Sequence, residues 1–437
     1  MKKLFHLFLF VLVSFLFLSA CSSELPLLLP PDPRQNQEDQ IENPEDTAEN
    51  EAAIEIILDN TQLELFTLDT ATLTASISGG DENSAIEWTT SNRKVLHVDA
   101  QGNITALSAG TANIMASFGE ASAFCQVSVT PNVYIVGEVY NDNNAIATLW
   151  KNGVAQDLSS GINNGFAKSV FVKDSDVYVT GSQNAGLNSS IALQWENGIQ
   201  SELTDGSYRA RTRSIYVKGN NAYVAGYEFN GNKFIAKLWV NGIAQNLSDG
   251  TENAFANSVF VVNNNVYVVG KEDSPNGSFA MLWKNGVPSK LISESDEASA
   301  HSVYVTDSDV YVVGSEKIGT KNVATIWKNG APTNLSDSSI EALALSVYVS
   351  GSDVYVAGYE EDLSLVAKLW KNGVAINLTD GTSSGFARSV FVQDSNVYVA
   401  GSIYNGNNEV AVQWKNGVQT NLSSGINLAR ANSIFVK

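Results

Sequence analysis

Along most of this chain, apolar residues come in runs of four or five, either alternating with polar ones or continuous, and Asn, Asp, Gly and Ser fill the gaps between them. From residue 132 onward four such runs recur as a set. In one complete copy they are Ser389-Val390-Phe391-Val392 (A), Val397-Tyr398-Val399-Ala400 (B), Val410-Ala411-Val412-Gln413-Trp414 (C) and a run from Val418 to Leu422 (D). Runs this short, bounded by turn formers and rich in Val, Tyr and Phe, predict strands rather than helices. A and B are apolar on both faces, so the sheets they form are expected to be covered on both sides.

The set repeats with a fixed beat. Trp-x-Asn-Gly occurs at Trp150, Trp195, Trp239, Trp283, Trp327, Trp370 and Trp414, always 43 to 45 residues apart. A period of that length is the mark of a repeat architecture. The B run ends in glycine at Gly137, Gly181, Gly226, Gly270, Gly314, Gly358 and Gly401, and the A run begins at Ser169, Ser214, Ser258, Ser302, Ser346, Ser389 and Ser433. Asp394-Ser395-Asn396 makes a tight A to B turn. Lys415-Asn416-Gly417 makes the C to D hairpin, because Asn and Gly both accept positive φ. Only the D to A connection, with turns such as Thr379-Asp380-Gly381, is long enough to cross from the rim of one sheet to the axis of the next. The first copy enters at Val133, already in B, and the chain stops in a lone A run, Ser433 to Val436. The complementary phase predicts that residues 132–437 form a seven-bladed β-propeller closed by the C-terminal strand.

These repeats resemble propeller families of the WD40 and kelch kind in architecture. In wording they are closer to the extracellular HAF repeat, with its Leu-Trp-x-x-Gly and a following Leu. The Gly-His and Trp-Asp pair of WD40 and the double glycine of kelch are missing, so the resemblance bears on fold and extracellular setting.

Residues 53–131 carry a different strand pattern. Ile54, Ile56 and Leu58 alternate, then Leu63 and Leu65, then Leu73, Ala75 and Ile77. Trp88-Thr89-Thr90-Ser91-Asn92, Val95, Val98-Asp99, Gly102 to Leu107 and Gly110 to Ile114 follow. This segment resembles the bacterial Ig-like domain, group 2, which implies a small β-sandwich with Trp88 in its core and a spacer or adhesive role. The whole is therefore expected to be all-β.

The start of the chain is an address. Lys2 and Lys3 precede an apolar run from Leu4 to Phe17, too short for a spanning helix, which reads as a signal peptide over residues 1–20. Leu18-Ser19-Ala20-Cys21 resembles the lipobox of bacterial lipoproteins, which implies that Cys21 is lipidated and holds the protein to a membrane. Residues 21–52, rich in Pro, Gln, Asn, Asp and Glu, read as a disordered acidic tether. The setting implied is the bacterial cell envelope, at the outer membrane or cell surface.

Composition then removes options. A net charge of −20 argues against nucleic acid as partner. The histidines, His6, His97 and His301, fall one to a segment, and the cysteines are only Cys21 and Cys125. No His/Cys metal cluster is possible within one domain, and neither metal nor cofactor is expected. Copies of the repeat place Lys168, Arg213, Asn257, Leu345, Arg388 and Asn432 where His301 stands, so that slot is not a demanding catalytic one. The Asp-Gly and Asp-Ser pairs sit in turns and lack a calcium ladder.

Variation between copies concentrates in the D to A and B to C connections, which strand counting puts on one face. The five propeller arginines, Arg209, Arg211, Arg213, Arg388 and Arg430, are assigned to D to A connections together with Lys168. Phe166, Phe255 and Phe386 occupy the position that Arg211 and Arg430 hold in other copies. Lys168, Arg211, Arg213, His301, Arg388, Arg430 and these phenylalanines form the candidate ligand site, suited to carboxylates or sulfates. The function expected is a monomeric, non-enzymatic binding or adhesion lipoprotein for an acidic glycan or protein. The alternatives are a glycan hydrolase or lyase on a propeller scaffold and an envelope-complex scaffold. Sialidases are arginine-bearing propellers, but their Ser-x-Asp-x-Gly-x-x-Trp box is absent here, and no copy is seen to break the repeat symmetry with paired acids.

Overall fold

A computed structural model describes residues 53–80, 85–141, 144–293 and 295–437, and every regular element among them is a β-strand. The signal, the tether and Cys21 lie outside the described residues. Residues 55–130 form a sheet of four strands, one of three and one of two. Their shared core holds Leu73, Leu96, Ile104 and Ile114, all fully buried, with Cys125 among them and Trp88 packed at its border. Burial pushes the Cys125 thiol pKa up, and the Asp59 carboxylate adds to the shift.

The remaining residues form seven antiparallel sheets of four strands in the order A, B, C, D. In six sheets the strands are consecutive in sequence. In the first, Val133–Tyr140, Ala145–Lys151 and Val154–Asp157 are completed by Ala429–Val436 from the far end of the chain, which pairs antiparallel with Val133–Tyr140. The strands are longer than the sequence pattern indicates. In the last copy A spans Gly385–Gln393 and B spans Asn396–Tyr404, so the glycine of the B run lies inside its strand rather than ending it.

Each part of the repeat has a physical task. In the C to D turn, Asn416 and Gly417 take φ of 51° and 82°. The Asn416 side chain then accepts the amide of Val397 at 2.8 Å and so fixes where strand B starts. The other six copies repeat this bond. The B-strand glycine is required by close approach: a Cβ on Gly401 would overlap the carbonyl oxygen of Phe386 in the neighbouring A strand, and the same holds for Gly137 against Arg430. The seven tryptophans are wholly buried. Each packs against an adjacent sheet, as Trp195 does with Tyr134 and Leu158, and truncating such a residue to alanine costs about 3–5 kcal/mol.

Strand A carries a β-bulge in every sheet, where the pairing with B shifts by one residue. The serine that follows the bulge accepts the amide of a residue in the next sheet's A strand. Seven such bonds, 3.1–3.3 Å long, run from Ser169 and Ile215 round to Ser433 and Val170. Two residues further on, Phe171, Tyr216, Phe260, Tyr304, Tyr348, Phe391 and Phe435 form a continuous circle with ring centroids 4.7–5.0 Å apart. The A strands are thus innermost, and their aromatic residues line a common axis.

The Ig-like part joins this body at the C-terminal ends of the inner strands. Asn132 and Lys437 exchange backbone hydrogen bonds of 2.6 and 2.9 Å. Thr67 donates its hydroxyl to the Lys437 carbonyl, and the Asn132 amide side chain donates to the Thr67 carbonyl at 2.5 Å. Asn132 is buried by these contacts.

Candidate ligand-binding site

A bulge adds one residue to a strand and re-aims its side chain. Here the bulge residues are Lys168, Arg213, Asn257, His301, Leu345, Arg388 and Asn432, and all seven line one axial cavity of about 550 Å³ near the N-terminal ends of the inner strands. Glu138, Phe386, Glu409 and Arg430 complete its wall. The sequence assignment of the cations to D to A connections is corrected by this geometry. Lys168, Arg211, Arg213, Arg388 and Arg430 all lie within inner strands, which start before their serine; only Arg209 precedes one.

Two carboxylates organise the charge. Glu138, itself 2% exposed, accepts Lys168 Nζ at 3.3 Å and the Asn432 amide at 2.6 Å. Glu409 accepts Nε and Nη2 of Arg430, both at 2.8 Å, Arg388 Nη2 at 3.3 Å and the Ser402 hydroxyl at 2.9 Å. Burial by itself raises the Glu409 pKa, but the two guanidinium groups and Ser402 outweigh it and hold the carboxyl below its ordinary value. Crowding by protein atoms lowers the Lys168 pKa despite the pull of Glu138, and the nearby Arg213 adds to the lowering. The cavity is therefore a partly neutralised ring rather than an open circle of free cations.

His301 has a structural partner. Its Nδ1 lies 2.9 Å from the carbonyl of Ala344 in the next sheet, and burial depresses its pKa against that bond. Asn257 and Asn432 make the same cross-sheet contact, each at 2.9 Å, to Ala300 and Ala167. The imidazole stands in for an asparagine side chain.

The third sheet departs from the others. Arg209, Arg211 and Arg213 form no ion pair with a carboxylate among the described residues. Arg213 lies over the Tyr227 ring at 5.6 Å, and the Arg211 Nε is buried with no acceptor. Beside them Tyr208, Tyr227, Phe229, Phe234 and Phe255 make a connected aromatic cluster, each ring 4.9–6.2 Å from the next. Phe255 belongs to this cluster and is not part of the axial wall, whereas Phe386 lines the cavity and Phe166 lines a smaller pocket next to it. This sheet breaks the repeat symmetry with arginines and aromatics rather than with paired acids, and its signal in the sequence was Arg209, Arg211 and Arg213 beside the five aromatics of this cluster. Glu138 and Glu409 were also missed. Glu138 was visible as a lone carboxylate after Gly137, where other copies carry Ser182, Tyr227, Lys271, Ser315, Tyr359 or Ser402.

Residues 55–129 match the family model of the bacterial Ig-like domain, group 2. No curated protein matches the chain. Among solved structures it is similar to a puromycin-hydrolysing peptidase from Mycobacterium tuberculosis, at 10% identity and a TM-score of 0.47, with 66% of this chain and 53% of that one covered. This chain thus spans about half of the peptidase. It is also similar to the β-propeller domain of the trilobed protease from Pyrococcus furiosus, at 9% identity and a TM-score of 0.41 over 73% of this chain and 96% of that one. A third is TolB from Acinetobacter baumannii, at 8% identity and 0.41 over 74% and 96%. Likenesses at this level bring no ligand or activity to this chain.

Proposed function

We propose that this protein is a surface-anchored bacterial lipoprotein whose head is a seven-bladed propeller closed by its last strand, and that it binds an acidic ligand without turning it over. Lipid on Cys21 anchors it, residues 21–52 tether it, and the Ig-like segment acts as a spacer. The Ig-like part meets the inner strands at their C-terminal ends, through Lys437, and so leaves the cavity near their N-terminal ends free.

The observation that carries this reading is the convergence of one bulge residue from each of seven sheets on a single cavity. Its lining holds Lys168, Arg213, Arg388 and Arg430 against Glu138 and Glu409, an excess of cations in a chain of net charge −20. An anion entering there gains from fixed, partly desolvated donors. A binding role is favoured over an enzyme by the state of the titratable groups. His301 is engaged with a backbone carbonyl, and both carboxylates are engaged with cations, so none is poised as a general acid or base.

The test is binding of the full chain, in detergent, to immobilised polyglutamate, polygalacturonate and neutral dextran over a range of ionic strength, with product analysis. Binding to the acidic polymers that weakens with salt, without fragment release, is expected. Preference for dextran, or release of fragments, would contradict the reading.

A further inference from the structure

The cations around the mouth are not equivalent. Lys168 is held by Glu138, and Arg388 and Arg430 share Glu409. Arg209, Arg211 and Arg213, within five residues of one another, have no carboxylate in contact among the described residues, although Asp and Glu outnumber Lys and Arg by 46 to 26 in the chain. Like charges at this spacing repel, and a buried guanidinium nitrogen without an acceptor is a cost the fold does not compensate internally. Arg211 and Arg213 border a side pocket of about 200 Å³, which opens beside the axial cavity and is also lined by Phe166, Lys168, Ser182, Thr212, Arg430 and Glu138, whose carboxylate is held by Lys168 and Asn432.

We infer that this pocket is the seat of an acidic sugar of a polysaccharide, its carboxylate held by Arg211 and Arg213 and the chain continuing over the aromatic cluster of the third sheet. The inference rests on the acidic-ligand reading and narrows it to one sheet and one ligand class. Guanidinium groups match a planar carboxylate with paired donors. The pocket has room for a ring rather than a carboxylate alone, and Phe166 gives it an apolar wall. Tyr208, 48% exposed and just ahead of the inner strand Ala210–Lys218, and Phe229, at the end of the neighbouring strand Asn221–Phe229, form an aromatic surface beside it. A sugar chain has both components, apolar ring faces for the aromatics and an acid group for the arginines. An acidic peptide has only the second.

The experiment is calorimetric titration of the full chain in detergent with oligogalacturonate and, separately, with polyglutamate of similar charge. Arg211→Gln, Arg213→Gln, Tyr208→Ala and, at the exposed C to D hairpin of the last sheet, Lys415→Gln are the variants. Oligogalacturonate is expected to bind the wild-type chain, about tenfold more weakly when either arginine is replaced, also more weakly in Tyr208→Ala, and unchanged in Lys415→Gln. Arg211→Gln should melt no lower than wild type, since Arg211 makes no ion pair among the described residues; a lowered melting point in that variant would assign Arg211 a structural role and overturn the inference. Undiminished oligogalacturonate binding in both arginine variants would remove this pocket while leaving the axial cavity as the acidic site. Tighter binding of polyglutamate than of oligogalacturonate would overturn the sugar assignment. Binding of neither polymer by the wild-type chain would overturn this inference and the acidic-ligand reading together.

Discussion

The amide of Val170 donates to the hydroxyl of Ser433, 3.3 Å away and 263 residues further along the chain. The same bond joins Val347 to Ser302 at 3.2 Å, between neighbouring sheets in the interior of the repeat. The seam between the two ends of the repeat is thus made like every other seam.

Replacing either serine with alanine leaves an inner-strand amide without its acceptor, at about 1–3 kcal/mol. We expect Ser433→Ala and Ser302→Ala to lower the melting temperature by similar amounts. Calorimetry of the two variants checks this, and a silent Ser433→Ala beside a destabilising Ser302→Ala would mean that the seam is open in solution.

Glu409→Gln should destabilise the head, because Arg388 and Arg430 would lose the one carboxylate they pair with among the described residues. The cost expected is about 1–3 kcal/mol at neutral pH for a mostly buried, hydrogen-bonded pair. Since the folded pKa of Glu409 is depressed, its contribution is complete above the ordinary value of 4.5 and disappears as pH falls through the folded value. Urea unfolding of wild type and variant should therefore differ at pH 7 and converge in strong acid.

His301→Asn should fold, melt and bind as the natural protein does at neutral pH, because Asn257 and Asn432 already make the same contact from the same bulge position. The lowered pKa of His301 has a further consequence. The unfolded chain takes up the proton first, so the histidine weakens the fold as pH drops below about 6.5. The asparagine variant should lack that part of the pH dependence, and melting curves between pH 5 and 8 measure it.

Much of this architecture was legible in the residues. Trp-x-Asn-Gly marked the end of strand C and its hairpin, and the opening in B with a stop in A pointed to pairing of the chain ends. The bulge was not legible, because a residue such as Arg388 looks like a loop residue when it interrupts an apolar alternation. The partners of the cations were hidden for another reason. Arg430 and Glu409 come from different sheets, and only the geometry of the inner strands brings them together. The symmetry break in the third sheet was present as composition but was outweighed by the regularity of the repeats.

Cys21→Ser tests the anchor, which lies outside the described residues. On the lipoprotein reading the variant should move to the aqueous phase on detergent partitioning, while the natural protein stays in the detergent phase. Retention of the variant in detergent would show that something other than lipid at Cys21 holds it.

The central claim is that the last strand completes the ring on which the axial cavity depends. Its most direct test is calorimetry of a chain lacking residues 431–437. Without them Val133–Tyr140 becomes an unpaired inner edge and the first and seventh sheets lose their common seam. The account expects loss of the single cooperative transition of the head, or aggregation before it. An unchanged melting profile would contradict closure, and with it the shared cavity.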